Sequence, residues 1–471
     1  MKNKTISNVI FSAGYQILIL FVPLVTTPYV TRIFSPNQIG IYAASLAIVS
    51  FFVVGAAFGL PLFGSREIAK TTVENRDKLF YEFFSLQVIT SFGFYMIFLI
   101  VAVIFRFSKY YYLQSLLILV NIFDVSWFYI GIEEIKRTLY RNFLSKVFTM
   151  VSIFIFVKTK KDLNMYIGLN VMGMLLGNLL MVFQLRKFIK VKFRFTRPKF
   201  DTAKKSFGIL ISQMISSAKS SFDRIILLAL TGSNSFVGIY DQGRKIINII
   251  IAVSNSATIA LLPKMTSTMQ DKSNKYKLAS MLKKIVPIIF VGSIFLGSSI
   301  YLNAENFVNV FFGQGYSSVT EVLKIFSLAL LVLPINYFLL NGIILPKSHD
   351  KQYREIFTVS AIVLFAGNLI LDKPFGFVGA SIAFIISEYI VFFYIMFLLK
   401  RERSVFLYLI PFIISFLDYC FVNITGHFII QIMKLSSGGI ILFLLTAAIT
   451  SAYFILLHAI IFAVYKLVKN K

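Results

Sequence analysis

The chain is short of the residues that soluble domains use most. Only 14% of its 471 residues are Asp, Glu, Lys or Arg, against about 25% in an average soluble domain. Acids are the scarcer sign, 20 against 47 Lys and Arg. A single cysteine, Cys420, excludes an internal disulfide, and the three histidines, His349, His427 and His458, are too scattered in sequence to form a metal-ligand motif. No Gly-rich loop of the P-loop form occurs, so no ATP hydrolysis of that kind is expected. No segment is long and polar enough to form a soluble domain. These absences predict a non-enzyme without cofactor or metal.

What the chain has in excess is apolar surface. Apolar and aromatic residues make up 58% of it, and the mean hydropathy is +0.80. Runs of the roughly 20 residues needed to cross a bilayer recur from end to end. The expected fold is therefore an all-α polytopic membrane protein. Fourteen candidate spans fall near 7–31, 38–63, 83–105, 111–132, 142–157, 164–185, 207–230, 237–262, 285–303, 320–345, 356–371, 376–399, 405–424 and 438–465. The basic start, Met1 to Thr5, leads into the first span without a small-residue cleavage site and is read as a retained helix.

The net charge of +27 fits membrane orientation better than nucleic-acid binding, because cytoplasmic loops collect Lys and Arg. With the N-terminus inside, residues 1–5, 65–82, 133–141, 186–205, 263–284, 347–355, 400–404 and 466–471 hold 33 basic residues, and the outer loops hold 8. This asymmetry places both termini in the cytoplasm. The largest inner loop, 186–205, has nine basic residues and one acid, Asp201. It reads first as an orientation signal that touches anionic headgroups, and it divides the chain after six helices.

A short internal repeat supports that division. Ser35 to Tyr42 reads SPNQIGIY and Ser233 to Tyr240 reads SNSFVGIY, 198 residues later, each just before a new helix. Repeated halves enclosing a substrate path are common in secondary transporters. The predicted organisation is a six-helix lobe over 1–185, a basic cytoplasmic linker over 186–206, a second six-helix lobe over 207–399, and two added helices with a tail over 400–471.

Charge inside a bilayer costs several kcal/mol and usually faces a cavity or a partner. The seventh and eighth spans concentrate it. Gln213, Ser216, Ser217, Ser220 and Asp223/Arg224 recur at helical spacing beside Lys219, and Asp241, Arg244/Lys245, Asn248 and Asn255 trace a second stripe. In an antiparallel hairpin Asp223 lies level with Arg244, and Arg224 with Asp241. Two crossed salt bridges would pin such a hairpin. They would leave Lys219 and Lys245 without an evident partner, which favours water or an anion reaching them. The fifth span adds Lys146 beside Asn142, Ser145 and Thr149, and snorkelling explains that lysine equally well. Glu388, in the twelfth span, either carries a coupling proton or hydrogen-bonds a neighbouring helix.

Four stretches resemble the Wzx-type oligosaccharide flippases, the polysaccharide-transport branch of the MATE-like MOP superfamily: Phe58–Ala69 (FGLPLFGSREIA), Asp124–Glu133 (DVSWFYIGIE), Ser221–Ile246 (SFDRIILLALTGSNSFVGIYDQGRKI) and Gly376–Glu388 (GFVGASIAFIISE). The resemblance implies a multi-pass flippase of the bacterial cytoplasmic membrane. Its substrate would be a polyprenyl-pyrophosphate-linked oligosaccharide for capsule, exopolysaccharide or a similar surface polymer, moved by alternating access. It also implies a proton or sodium ion for coupling, and a polysaccharide polymerase and other assembly proteins as partners alongside membrane lipids. Family members have a cationic central cavity. Lys219, Arg224, Arg244, Lys245 and Lys146 are the cations expected to meet the pyrophosphate, with Gln213, Asn248 and Asn255 meeting sugar hydroxyls. Asp223, Asp241 and Glu388 are expected in salt bridges or coupling. The rival expectations are a MATE-like cation or drug antiporter, and a polytopic polymerase or glycosyltransferase. An antiporter should show surplus acids in its cavity. An enzyme of that kind should show a larger outer loop than the roughly 16 residues from Asn303 to Ser318.

Overall fold

Helices follow the apolar runs. The computed structural model describes residues 21–189, 196–270, 275–345, 350–399, 406–432 and 443–456, and among them every regular element is helical. In order these are α1 (21–33), α2 (Pro36–Ala57), α3 (Leu60–Lys70), α4 (Arg76–Ile104), α5 (Lys109–Val120), α6 (Ser126–Gly131), α7 (Ile135–Phe156) and α8 (Leu163–Gln184). Then come α9 (Phe200–Thr231), α10 (Asn234–Gln270), α11 (Lys275–Phe311), α12 (Val319–Ala329), α13 (Leu333–Leu339), α14 (Asp350–Leu399), α15 (Phe406–Ile432) and α16 (443–456). Residues 7–20 of the first expected span, and 438–442 and 457–465 of the last, lie outside the described residues.

Eight helical stretches among the described residues are long and apolar enough to cross a membrane, nine if the bent pair Val319–Ala329 and Leu333–Ile344 counts as one. The chain is thus a multi-pass membrane protein. Helix α9, at 32 residues, is long enough but is not among these, because its serines, Gln213 and charged residues lower its apolarity.

Three expected single spans are broken, at the second, fourth and tenth positions. A break inside an apolar layer frees backbone groups that water cannot reach, and each must find a substitute partner. Between α2 and α3 the chain turns through left-handed Phe58 (φ 50°) and Gly59 (φ 77°). There the Thr90 hydroxyl donates to the Ala56 carbonyl at 2.7 Å, and the Ser206 hydroxyl donates to that of Phe58. Between α5 and α6 the amide of buried Gln87 donates to the carbonyls of Asn121 and Asp124 (3.0 Å for the latter), and Asn178 donates to Val120 at 3.0 Å. The Gln87 oxygen in turn accepts the Trp127 indole N–H at 2.8 Å. Between α12 and α13, bent by 41°, the Tyr389 hydroxyl donates to the Leu328 carbonyl at 3.0 Å. The fifty residues of α14 contain one non-helical residue, Gly376 (φ 56°), two positions after Pro374. That interruption separates the eleventh and twelfth expected spans where the sequence places their boundary.

The chain divides into two compact units. The first comprises residues 1–228 with Ser233–Gly238, and the second Ala229–Gly232 with 239–471. One core of the first unit gathers Phe80, Phe83, Trp127, Phe128 and Tyr129 with Leu60 and Ile68 of α3. A second core joins α2, α4 and α5 through Val49, Phe98, Ala102 and Ile118. In the second unit Val332, Phe338, Phe392 and Ile395 centre a core that α15 completes with Phe412. Helices α15 and α16 also close over α11 through Ile294, Tyr419, Val422 and Phe454.

The octapeptide repeat meets itself within the first unit. Each copy opens a helix on a serine. The Ser35 N–H is held by the Gln38 side chain at 3.2 Å, and the Ser233 hydroxyl accepts the Phe236 N–H at 3.3 Å. A Cβ on Gly40 would lie 1.7 Å from the Asn234 carbonyl oxygen, and one on Gly238 would lie 2.0 Å from that of Pro36. Residues 36 and 40 correspond to 234 and 238 in the repeat, so the contact is reciprocal. Only two glycines let the backbones approach this closely.

Two outcomes are expected in detergent-solubilised protein. Gln87→Leu strips partners from Asn121, Asp124 and Trp127 together, and unsatisfied buried groups cost about 1–3 kcal/mol each. Its melting temperature should fall further than that of Gln114→Leu, another fully buried amide, which donates to no backbone carbonyl among the described residues. Separately, Gly40→Ala and Gly238→Ala should each lower stability by about 1–3 kcal/mol through overpacking. Because both disturb one contact, thermal unfolding of the double variant should show less than the sum.

Candidate functional site

The polar residues picked out by the sequence sort by unit. In the first unit α9 carries Gln213, Lys219, Asp223 and Arg224. Asp223 is fully buried, and its Oδ1 accepts the Arg224 backbone N–H at 2.8 Å while lying 3.9 Å from the same residue's Nη1. Arg224 also donates from Nη1 to the Ser220 carbonyl, one turn back, at 2.9 Å. Lys219 and Gln213 are half-buried. Ser212, Ser216 and Ser220 are exposed on the same helix. An apolar helix exposes Leu and Phe to lipid, so a run of exposed hydroxyls marks a face that meets water or a polar ligand.

In the second unit α10 carries Asp241, Arg244, Lys245, Asn248 and Asn255. Asp241 is buried, and its Oδ2 lies 3.0 Å from Lys245 Nζ, an i,i+4 pair. Lys219 likewise has an interaction partner. The expectation that both lysines lack partners therefore fails. The physical reason for Lys245 is local: Asp241 lies one turn before it, within reach without any second helix.

Arg244 is the outlying group. It is 8% exposed, with its guanidinium carbon 3.4 Å from the centroid of the Phe384 ring. Phe384 packs edge-on to Phe326, which packs against Tyr240. The stacking satisfies the face of the guanidinium but not its N–H groups, and Nη1 is buried without a hydrogen-bond acceptor among the described residues. Planar stacking of this kind suits arginine and not lysine. Further along α10, Asn248 is exposed, and half-buried Asn255 has a buried Oδ1 without a hydrogen bond among the described residues.

Two further expected residues stand elsewhere. Lys146 is exposed on α7, whereas Ser145 donates to the Gly173 carbonyl of α8 at 2.6 Å and Thr149 and Ser152 are buried. The small polar face of α7 is thus used for helix packing. Buried Glu388 accepts from the Asn336 side chain of α13, at 2.9 Å to its carbonyl and 3.4 Å to Oε2. The hydrogen bond to a neighbouring helix, one of the two roles read from the sequence, is present.

Sequence reasoning missed two polar groups. Arg141 donates to Asp124 Oδ1 and Asn178 Oδ1, both at 2.8 Å, and to Asn142 Oδ1 at 2.8 and 3.0 Å. Asp124 Oδ1 also accepts the Ser126 N–H at 3.0 Å, capping α6. The signal was readable as an Asp two residues before a helix start. On α14, Asn368 and Asp372 are fully buried one turn apart. Their i,i+4 spacing in an apolar run was the available clue. Among the described residues no group of three or more His, Cys, Asp or Glu could hold a metal ion.

Comparison with known proteins fits this arrangement. A candidate O-antigen transporter of Escherichia coli (strain K12) is 24% identical over 395 residues, covering 82% of this chain and 94% of the relative. One of the same description from Shigella dysenteriae is 21% identical over 392 residues, 81% of this chain and 96% of the relative. Among solved structures, the lipid II flippase MurJ in an inward closed conformation matches with a TM-score of 0.66 at 16% identity, over 97% of this chain and 100% of that one. A multidrug resistance MATE family transporter of the MOP superfamily, inward-facing, matches with a TM-score of 0.57 at 14% identity, over 82% of this chain and 98% of that one. The model of the polysaccharide biosynthesis protein family matches residues 5–269, more than half of the length, and the chain belongs to that family.

Proposed function

We propose that this protein is a flippase. It carries polyprenyl-pyrophosphate-linked oligosaccharide repeat units across the bacterial cytoplasmic membrane for cell-surface polysaccharide synthesis. The family, the O-antigen transporter names of its relatives and a MurJ-like fold over nearly the whole chain support this reading. Those relatives are named as transporters and a flippase, in keeping with a non-enzyme.

One observation carries the substrate class: the charge of α9 and α10. Between residues 219 and 245 they bear Lys219, Arg224, Arg244 and Lys245 against Asp223 and Asp241, a surplus of two positive charges within the predicted spans. A drug or cation exporter has no use for that surplus, whereas a diphosphate does. Arg244 adds a buried donor without an acceptor among the described residues, and phosphate oxygens match the guanidinium fork. Lys219 and Lys245, one in each unit, offer phosphate a point charge, with Lys146 a further cation of the first unit. Gln213, Asn248, Asn255 and the exposed serines of α9 suit sugar hydroxyls, while the polyprenyl chain stays in lipid.

The organisation follows the sequence reading: fourteen crossings, both termini cytoplasmic, six-helix lobes over 1–185 and 207–399, a basic linker between them, and an added pair over 400–471. Rocking of one lobe against the other gives alternating access. A proton or sodium ion biases the two states, and Glu388, one of the buried intramembrane acids, is the residue assigned to respond. A polymerase and other assembly proteins take the delivered unit.

The test is export in a strain lacking the gene. Lipid-linked repeat units should accumulate on the inner leaflet, and intact export would reject the reading. Complementation with Lys219→Gln/Lys245→Gln or with Arg244→Gln should lower export at least tenfold at normal protein abundance, and Arg244→Lys should not restore it. Reduced abundance without loss of export per molecule would make these residues structural.

A further inference from the structure

The start of α9 and the end of α8 present a second charged feature, apart from the intramembrane stripes. Arg186, Lys187, Arg197, Lys199, Lys204 and Lys205 are all exposed, against a single exposed acid, Asp201. Among them Phe200 is 81% exposed, the highest value of any large apolar side chain described.

This surface is built. The carboxylate of Glu82, on α4 and only 5% exposed, accepts the backbone N–H of Lys199 at 3.2 Å and the Thr202 hydroxyl at 2.6 Å, both at Oε1. Buried Ser85, one turn on, accepts the Thr196 N–H at 3.0 Å. The Ser206 hydroxyl is anchored on the Phe58 carbonyl. Beneath lies the aromatic core of the first unit, to which Leu185 and Ile189 belong and against which Phe188 and Ala203 pack. One core therefore supports both basic stretches, 186–187 and 197–205. A charge signal for membrane insertion acts on the nascent chain and needs no such anchoring.

We propose that this anchored surface is a preformed seat for anionic phospholipid headgroups. An apolar ring flanked by cations can bury at the boundary between headgroups and acyl chains, which gives an uncovered Phe200 a place to go. The cations around it meet the phosphate layer, each contributing a share of the attraction that an anionic leaflet offers to basic side chains. Glu82 is the positioning residue: it holds the backbone so that the lysines project outwards. The seat does not depend on the transport reading, because lipid recognition here requires no substrate.

Intrinsic fluorescence gives a direct test on the full-length protein. The chain has one tryptophan, Trp127, which is buried, so Phe200→Trp adds a reporter at the seat and the unsubstituted protein supplies the background. Reconstituted into phosphatidylcholine bilayers, the reporter is exposed to brominated phosphatidylglycerol or brominated phosphatidylcholine at equal bromine content. Phosphatidylglycerol should quench more strongly, and raising potassium chloride from about 0.05 to 0.5 M should shrink the difference as the Debye length falls. Each of Lys199, Lys204 and Lys205 changed to Gln should raise the phosphatidylglycerol fraction giving half the extra quenching about fivefold at low salt. Changing the same three to Arg should leave it unmoved. Equal quenching by both lipids, or a preference untouched by the triple Gln variant, overturns the proposal.

Discussion

Hydrocarbon offers a peptide group nothing to bond to, and that constraint organises the chain more than any single contact. A continuous helix meets it automatically. Among the described residues the chain departs from continuity at three spans, and at each departure a polar side chain from another helix donates to a backbone carbonyl beside the break. Thr90 and Ser206 serve the break after α2, Gln87 and Asn178 the break after α5, and Tyr389 the break after α12. Gln87 is the most committed of them, because its two polar atoms serve α6 and the connecting turn together. These buried polar side chains are structural first. Their presence in apolar surroundings does not by itself mark a transport path.

The charges of α9 and α10 obey a different logic. Asp241 and Lys245 neutralise one another along one helix face, and Asp223 is held beside Arg224. Local pairing of this kind lowers the cost of placing charge in a membrane. Arg244 is handled by stacking on Phe384, which spreads the guanidinium over a π face yet leaves its donors to be met.

Much of the architecture was legible in the sequence, because apolar run length is an additive property that no partner can alter. Most described residues of the expected spans are helical, and Pro374 with Gly376 marks the boundary between the eleventh and twelfth. The three breaks were not legible. A hydropathy window sees the same apolar content on both sides of Phe58 or Leu330, and the residue that licenses each break lies elsewhere in the chain. The site divides in the same way. The acids and bases of α9 and α10 stand out against apolar neighbours and could be read directly. Their partners depend on side-chain direction, so Asp241 pairing with Lys245 was missed in favour of a partner across the hairpin. Arg141 was hidden because it sits where a loop charge is ordinarily expected, and its network with Asp124 and Asn178 needs three helices to exist.

The reciprocal approach of Gly40 and Gly238 ties two distant positions to one steric limit. Two copies of one octapeptide touch through equivalent atoms, the geometry of an isologous interface. A methyl group at either position meets the backbone of the other copy, so neither residue can be enlarged without displacing the helix start that faces it.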